Sequence, residues 1–275
     1  MNNASVFSLD LSRARLCRLE DIKVCTEPRA IHDIALVSPD YLLLANGNTK
    51  TIQLVNNRTG STLSEIRTSP HGAFRVCMMG RERAAIAMSS KKVQLVHVRG
   101  GRLTLGTVLD VRAEPWGVAS SGDNIVVSYR RSPWLEVMST DGIVRHQYKK
   151  AREARPFKWP FFRITSSDGF IYAADCRVGT ITKLDSSLLV LQTFSDPQLG
   201  LPYGLTPVNS DTLLVCYPRN NSIVQVNVNS GTVTTILGKE DGIVRPDSMA
   251  YCQLQGKLFV CTYNKTDSIQ VFQMD

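Results

Sequence analysis

The segment Gly169-Phe-Ile-Tyr-Ala-Ala-Asp175, followed by Thr180-Ile-Thr-Lys-Leu-Asp185, decides the fold of this chain. Short runs rich in β-branched and aromatic residues, separated by Gly, Asp and Ser, are typical of β-strands joined by tight turns. Just before this segment, Phe162-Arg163-Ile164-Thr165 supplies another such run. Three short strands in close succession predict an antiparallel sheet.

The same arrangement recurs along the whole chain. The apolar residue of each first strand falls at position 34, 76, 118, 164, 205 or 249, so the spacings are 42, 42, 46, 41 and 44 residues. Each second strand is a continuous apolar run, which predicts burial between neighbouring units. The third and fourth strands alternate in polarity, which predicts an outward face. A period of this length with four strands is that of a propeller blade. We predict an all-β, six-bladed β-propeller of four-stranded blades, with blades starting near residues 31, 73, 115, 161, 202 and 246.

The last unit ends after its third strand, so one outer strand is missing. The first thirty residues contain Arg15-Leu-Cys-Arg-Leu-Glu-Asp-Ile-Lys-Val24, which can supply it. Closure of the ring by this segment would remove an exposed sheet edge. The alternative is an open array of six units with a disordered N-terminus. We therefore treat residues 1–275 as a single propeller domain and expect a monomer.

The repeat resembles that of the NHL propellers, on the residues Gly169-Phe-Ile-Tyr-Ala-Ala-Asp175 and on the strand starts Pro115-Trp-Gly-Val118 and Pro202-Tyr-Gly-Leu205. The chain looks most like the C-terminal propellers of tripartite-motif (TRIM-NHL) proteins. The resemblance implies a part that contacts RNA or protein partners. The zinc-binding RING, the B-boxes and the coiled coil of those ubiquitin ligases have no counterpart in this sequence.

No constellation of residues in the sequence indicates catalysis. The residues expected to face the channel at the strand starts are His32, Arg75, Trp116, Arg163, Tyr203 and Asp247. They include one carboxylate and two arginines, and arginines repel Ca²⁺ or Zn²⁺. We therefore expect no catalytic residues, no metal site, no cofactor and no enzymatic activity. A metal-dependent propeller hydrolase is the least favoured alternative.

Charge is predicted to be unequal between the two faces of the ring. The loops after the second and fourth strands open on one face, which we call the basic face, and they carry 17 basic against 7 acidic residues. The loops of the opposite face carry 7 basic against 8 acidic residues. Aromatic residues lie among these cations, as single-stranded nucleic acid requires for stacking and for neutralisation of phosphates. The same charges would also serve as a solvated rim.

We therefore predict a binding module that holds an acidic ligand, best guess single-stranded RNA. The predicted ligand-binding residues are Arg75, Lys91, Lys92, Tyr129, Arg130, Arg131, Arg155, Lys158, Arg163, Arg177, Tyr203, Tyr217, Arg219, Tyr263 and Lys265. The alternative partner is an acidic protein segment, with the chain acting as a protein–protein scaffold or as the substrate-recruiting module of a tripartite-motif-type ligase system.

The cysteines and the N-terminus bear on location. Seven cysteines without a CxxC pair, most of them inside apolar runs, predict small buried side chains in a reducing compartment. The start Met1-Asn2-Asn3 does not have the pattern of a signal peptide, and no segment is long and apolar enough to span a membrane. We expect a cytoplasmic protein, with the nucleus as the alternative, and no membrane partner.

Overall fold

A computed structural model describes residues 16–24, 31–68, 70–130, 132–149, 162–195, 200–263 and 268–274. Two short strands come first, β1 (Leu16–Arg18) and β2 (Ile22–Lys23). The first three blades then follow in chain order, each a meander of four antiparallel strands. Their strands are β3 (Ile31–Ser38), β4 (Tyr41–Asn46), β5 (Thr51–Asn56) and β6 (Thr62–Arg67); β7 (Ala73–Met79), β8 (Arg83–Met88), β9 (Lys92–Arg99) and β10 (Arg102–Asp110); β11 (Pro115–Ser121), β12 (Asn124–Tyr129), β13 (Trp134–Met138) and β14 (Val144–Lys149).

The second half of the ring repeats this order. Its strands are β15 (Phe162–Ser167), β16 (Phe170–Asp175), β17 (Thr180–Leu184) and β18 (Val190–Ser195); β19 (Leu205–Asn209), β20 (Thr212–Tyr217), β21 (Ser222–Asn227) and β22 (Val233–Leu237); β23 (Pro246–Cys252), β24 (Lys257–Thr262) and β25 (Ser268–Met274). A single turn of 3₁₀ helix, Lys239–Asp241, is the one helical element in the described part of the chain. The predicted all-β, six-bladed propeller is confirmed.

The ring is closed by the N-terminal segment, as predicted. β1 pairs antiparallel with β25, with Cys17 opposite Gln273, and β2 pairs with the same strand further along. Ile22 is buried in a cluster shared by the first and last blades. Gly60, in a turn of the first blade, has φ +71°, and a Cβ there would overlap the carbonyl oxygen of Lys23. Glycine at this position therefore allows the closing segment to lie against the first blade.

The core lies between the blades. In the described residues, each of six apolar clusters joins two neighbouring blades around the ring; one cluster contains Leu43 of the first blade and Val76 of the second. The second strands, such as β4 and β20, are buried along nearly their whole length. This burial explains why they read as continuous apolar runs.

The third strands differ from the prediction of an outward face. Their central polar residues are buried: Gln53 in β5, Gln94 in β9, Glu136 in β13 and Gln225 in β21. Hydrogen bonds to the neighbouring strand hold two of these groups, since Gln53 donates to Glu65 Oε2 at 2.6 Å and Gln94 donates to the carbonyl of Gly106 at 2.9 Å. Alternating polarity in the third strands therefore marks buried polar side chains. The fourth strands, such as β14 and β18, are exposed as predicted.

The turn that ends the third strand explains part of the repeat. Asn56, Asp185 and Asn227 occupy equivalent ends in three blades. Each side-chain oxygen accepts a hydrogen bond from the backbone N–H two residues further on. The donors are Arg58 to Asn56 at 2.9 Å, Ser187 to Asp185 at 2.9 Å and Asn229 to Asn227 at 3.0 Å. Asn and Asp recur there because their short side chains can close this turn.

The closing segment supplies a test of the ring. Ile22→Ala should lower the free energy of unfolding by about 2–4 kcal/mol, because it removes a buried side chain from the seam between first and last blades. Leu19→Ala is the matched control; its side chain is 39% exposed, and it should change stability by less than about 0.5 kcal/mol. Urea denaturation of both variants measures this, and equal effects would contradict the buried seam.

Candidate functional site

The basic face has a pocket at the mouth of the central channel, with a volume of about 590 Å³. Three aromatic rings and three arginines from four blades surround this upper pocket. They are Trp116, Tyr203, Tyr263, Arg177, Arg219 and Arg245. Each of them lies at the start of a first strand or in the loop after a second strand. The chain topology therefore delivers them all to the same face of the ring.

Local backbone interactions position the arginines. The backbone N–H of Arg177 donates to Asp175 Oδ1 at 3.0 Å, so the Asp of the Ala-Ala-Asp motif shapes the loop that carries Arg177. The backbone N–H of Arg245 donates to Asn221 Oδ1 at 2.9 Å, and Arg245 has φ +47°. Its guanidinium lies 4.8 Å from the ring centroid of Tyr263, which is 49% exposed. This pair forms an accessible cation–π wall of the pocket.

Below the pocket, two arginines share one aspartate in the centre of the channel. Asp247 lies 3.0 Å from Arg163 Nη2 and 3.5 Å from Arg75 Nη2, and the side chains of all three are more than nine-tenths buried. We call these three residues the arginine–aspartate plug. They come from β7, β15 and β23, so they link every second blade across the channel.

The charged state of the plug is set by burial and by pairing. Burial raises the pKa of Asp247, and the neighbouring charges of Arg163 and His32 oppose that rise. Burial works against the charged form of Arg163, but the carboxylate of Asp247 and the other acidic groups around it together outweigh burial, and the pKa of the Arg163 guanidinium is raised. Arg163 is therefore a permanent buried cation held by its carboxylate partner.

Aromatic rings cover the plug on the side of the upper pocket. The guanidinium carbon of Arg163 lies 4.6 Å from the ring centroid of Tyr203 and 5.1 Å from that of Trp116. Arg75 approaches the same tryptophan at 5.8 Å and Arg130 at 5.6 Å. Trp116 and Tyr203 thus separate the buried cations from the upper pocket while they present ring surface to it.

A second buried carboxylate, Asp33, lies beside the plug. It accepts hydrogen bonds from the Ser248 hydroxyl and from the backbone N–H of Val76, the latter at 2.8 Å. Burial raises its pKa to about 6, even though both hydrogen bonds and the charge of Arg163 favour the ionised form. His32, on the same strand, accepts the backbone N–H of Gly47 at 3.1 Å and packs edge-on against Phe74.

The structure brings part of the predicted binding set together. Arg177, Tyr203, Arg219 and Tyr263 line the upper pocket. Lys91 is exposed, Lys92 is paired with Asp110 at 2.7 Å and Arg130 is paired with Glu114 at 3.3 Å. The predicted residues Arg131, Arg155, Lys158 and Lys265 lie outside the described residues.

Four predicted binding residues do not lie on the open face. Arg75 and Arg163 are buried in the plug, and Tyr217 packs in the core between the fourth and fifth blades. Tyr129 is fully buried, and its hydroxyl donates to Glu136. Burial and this hydrogen bond raise the pKa of Tyr129. Both tyrosines end second strands, and the side chain of the last strand residue points between the blades rather than into the loop.

Two features of the site were not singled out from the sequence. Arg245 was one of many inter-blade cations, and its part in the pocket depends on stacking against Tyr263 from the adjoining loop. Ion pairs with Asp110 and Glu114 offset Lys92 and Arg130, whereas among the described residues no ion pair involves Arg219 or Arg245. Among the described residues, the pocket therefore holds two cations of the basic face, Arg219 and Arg245, that no ion pair neutralises.

Among the described residues, one cysteine, Cys176, lines the upper pocket. Cys176, Cys216, Cys252 and Cys261 are buried, whereas Cys17 is exposed. In the described ranges no group of three or more His, Cys, Asp or Glu side chains is arranged to hold a metal ion. No helix in this part of the chain is long and apolar enough to cross a membrane.

Comparison with known proteins places the fold among solved propellers. No family model and no curated protein matches the sequence. A streptogramin B lyase structure is 12% identical with a TM-score of 0.67, over 95% of this chain and 98% of the other. A catalytically inactive histidine-to-alanine variant of virginiamycin B lyase from Staphylococcus aureus, solved with quinupristin, is 15% identical with a TM-score of 0.65, over 95% of this chain and all of the other. Myxococcus xanthus glutaminyl cyclase is 10% identical with a TM-score of 0.56, over 95% and 98%.

These similarities correct the prediction that the chain is not an enzyme. Solved propellers of the same fold are a lyase and a cyclase, so the fold gives no ground for excluding catalysis. The physical reason is that a six-bladed ring brings side chains from all six first strands to one mouth, and that arrangement serves binding and catalysis alike. At these identities the likeness shows the fold alone. The six-bladed propeller suits a binding module, and the comparisons do not establish the narrower NHL resemblance.

Asp33 gives the site a pH-dependent stability. Its pKa is about 6 in the folded protein against 3.8 without burial, so the folded state binds more protons between these values. The free energy of unfolding is therefore highest, as far as Asp33 contributes to it, below about pH 4. It falls by about 3 kcal/mol as the pH rises from about 4 through 6. Asp33→Asn should flatten this fall in urea denaturation between about pH 4 and pH 7. The exposed control Asp123→Asn should keep the wild-type profile; an unchanged slope in Asp33→Asn would contradict the assignment.

Proposed function

We propose that this chain is an NHL-type propeller whose basic face holds single-stranded RNA, with one nucleotide seated in the upper pocket. The observation that carries the proposal is the set of three rings and three arginines around that pocket. Bases stack on aromatic side chains at about 1–3 kcal/mol per base, and arginines neutralise the phosphates that flank them.

The dimensions of the pocket support a nucleotide. A volume of about 590 Å³ falls within the range of small-molecule sites. Tyr263 is half exposed, so a base can reach its ring from solvent. Arg219 is exposed at the rim, where it can meet a phosphate. Lys91, on the loop of another blade, extends the cationic surface along the face for a longer strand.

The motif at the fourth blade supports the NHL assignment. Asp175 is buried, and it holds the backbone of Arg177 in the loop that lines the pocket. The Asp at the end of this strand is thus tied to the presentation of a cation on the basic face. An acidic protein segment would meet the same cations but would make less use of the three rings.

The charge reversal Arg177→Glu with Arg219→Glu should weaken binding of a short single-stranded RNA by at least about tenfold, because two phosphate contacts become repulsive. The control is Arg81→Glu with Arg102→Glu, which makes the same change of charge at a turn residue and at the first residue of β10 on the opposite face. Fluorescence anisotropy with a labelled oligonucleotide measures both. Equal losses in the two variants would show that only net charge matters and would count against the site.

Salt dependence gives a second, independent test. If four to six phosphates are contacted, affinity should fall about 50- to 300-fold between about 50 and 200 mM salt. Tyr263→Ala should weaken binding by about 5- to 100-fold while it leaves the salt slope unchanged, since it removes stacking rather than charge. A flat salt response would overturn the RNA proposal. Protein partners that survive nuclease treatment would then favour an interaction scaffold.

A further inference from the structure

A second cavity lies on the other side of the arginine–aspartate plug, in the lower half of the channel. Its volume is about 280 Å³, and the first strands of all six blades line it. Its upper end is formed by Arg75, Arg163, Asp247 and Asp33, and its walls combine apolar side chains such as Ile164 with the hydroxyls of Ser120, Thr165 and Ser166. The proposed function makes no use of this lower cavity.

The two arginines at the upper end of the lower cavity each have a hydrogen-bond donor that no acceptor in the described residues engages. Arg75 uses Nη1 on the carbonyls of His32 and Phe74 and Nη2 on Asp247. Arg163 uses Nη2 on Asp247 at 3.0 Å. The Nε atoms of both arginines are buried and have no hydrogen-bond partner among the described residues. A buried N–H without an acceptor is costly, and two of them at one cavity indicate that an acceptor is supplied from outside the chain.

The partners of the two carboxylates point the same way. Two guanidinium groups share Asp247 as their close carboxylate partner. The other carboxylate, Asp33, is occupied by the Ser248 hydroxyl and the Val76 N–H rather than by an arginine. Neither carboxylate accepts from a guanidinium Nε, so both Nε–H donors remain available to a ligand, and the planar guanidinium groups suit a carboxylate or a phosphate.

We propose that the lower cavity binds a small organic oxyanion, a carboxylate or phosphate on a short carbon chain, through the guanidinium groups of Arg75 and Arg163. The oxyanion lies against the plug, and the carbon chain extends along the apolar and hydroxyl-bearing wall. A cavity of about 280 Å³ is below the usual range for drug-sized ligands, so it excludes a polymer. The site is therefore separate from the RNA proposal, and either can fail without the other.

Isothermal titration calorimetry of the full chain tests the proposal with succinate, glycerol 3-phosphate and inorganic phosphate. The neutral controls are succinamide and glycerol. We expect saturable 1:1 binding of succinate or glycerol 3-phosphate, and binding at least about tenfold weaker for the matched neutral compound, because the arginines then lose their charged acceptor. Preference between succinate and glycerol 3-phosphate decides between the carboxylate and the phosphate. Absence of saturable binding by all three anions overturns the proposal.

Two further measurements test whether the ligand binds in the lower cavity, and neither requires a substitution of Arg75, Arg163 or Asp247. Ser120→Leu, which places a larger side chain on the cavity wall, should weaken binding by at least about tenfold through steric exclusion. Ser195→Leu, the same change on the exposed β18, should have no effect. In ¹⁵N-arginine-labelled protein, the ligand should shift two slowly exchanging Nε–H signals. Binding that Ser120→Leu leaves unchanged, or that shifts neither signal, would show an ion on the outer surface and overturn the site.

Discussion

The interaction on which the centre of this molecule depends is the sharing of Asp247 by Arg163 and Arg75. The three side chains come from the second, fourth and sixth blades, so they tie alternate blades together across a channel that the ring would otherwise leave open. The first, third and fifth blades contribute His32, Trp116 and Tyr203 at the corresponding strand starts. Charges and rings therefore alternate around the channel, and the rings of Trp116 and Tyr203 cover the guanidinium groups.

The outer part of the ring is held by a different kind of contact. Apolar clusters lie between neighbouring blades, and the last of these seams is completed by Ile22 and Val24 of the closing segment. Each seam buries apolar side chains and is non-directional, whereas the plug is directional and links the second, fourth and sixth blades through defined atoms. Neighbouring blades are thus joined by buried apolar contacts. One ion-pair network additionally joins three of the blades across the channel, and it supports the side chains at both ends of the channel.

Much of the fold was predictable because it rests on local patterns. The period of the repeat, the continuous apolar runs and the turn residues such as Asn56 and Asp185 all act within one blade, and the strand pairing follows from them. The candidate site was predictable in part. The strand-start residues were correctly expected at the channel. Asp247, the ion-pair partner of Arg163, lies 84 residues away from it in sequence, and Ser248 and Asp33 are 215 residues apart. Sequence could not show that two of the cations are buried, nor that Tyr129 and Tyr217 turn into the core at the ends of their strands.

The plug is not readily explained by stability alone. A buried ion pair is weak evidence for stability, because the cost of removing charges from water offsets most of their attraction, and well-packed apolar side chains would fill the same space at no greater cost. Here the cost is higher still, since two buried Nε–H groups have no acceptor among the described residues and Asp33 has a raised pKa. Buried groups with perturbed pKa values are concentrated at functional sites, where ligands bind. The plug lies between an aromatic, cationic pocket above, which is lined by Arg177, Arg219 and Arg245, and a small hydroxyl-lined cavity below, which is lined by Arg75 and Arg163. Each end of the channel thus presents guanidinium groups of its own, and this is the chemistry that the two proposed ligands, an RNA and a small organic oxyanion, require.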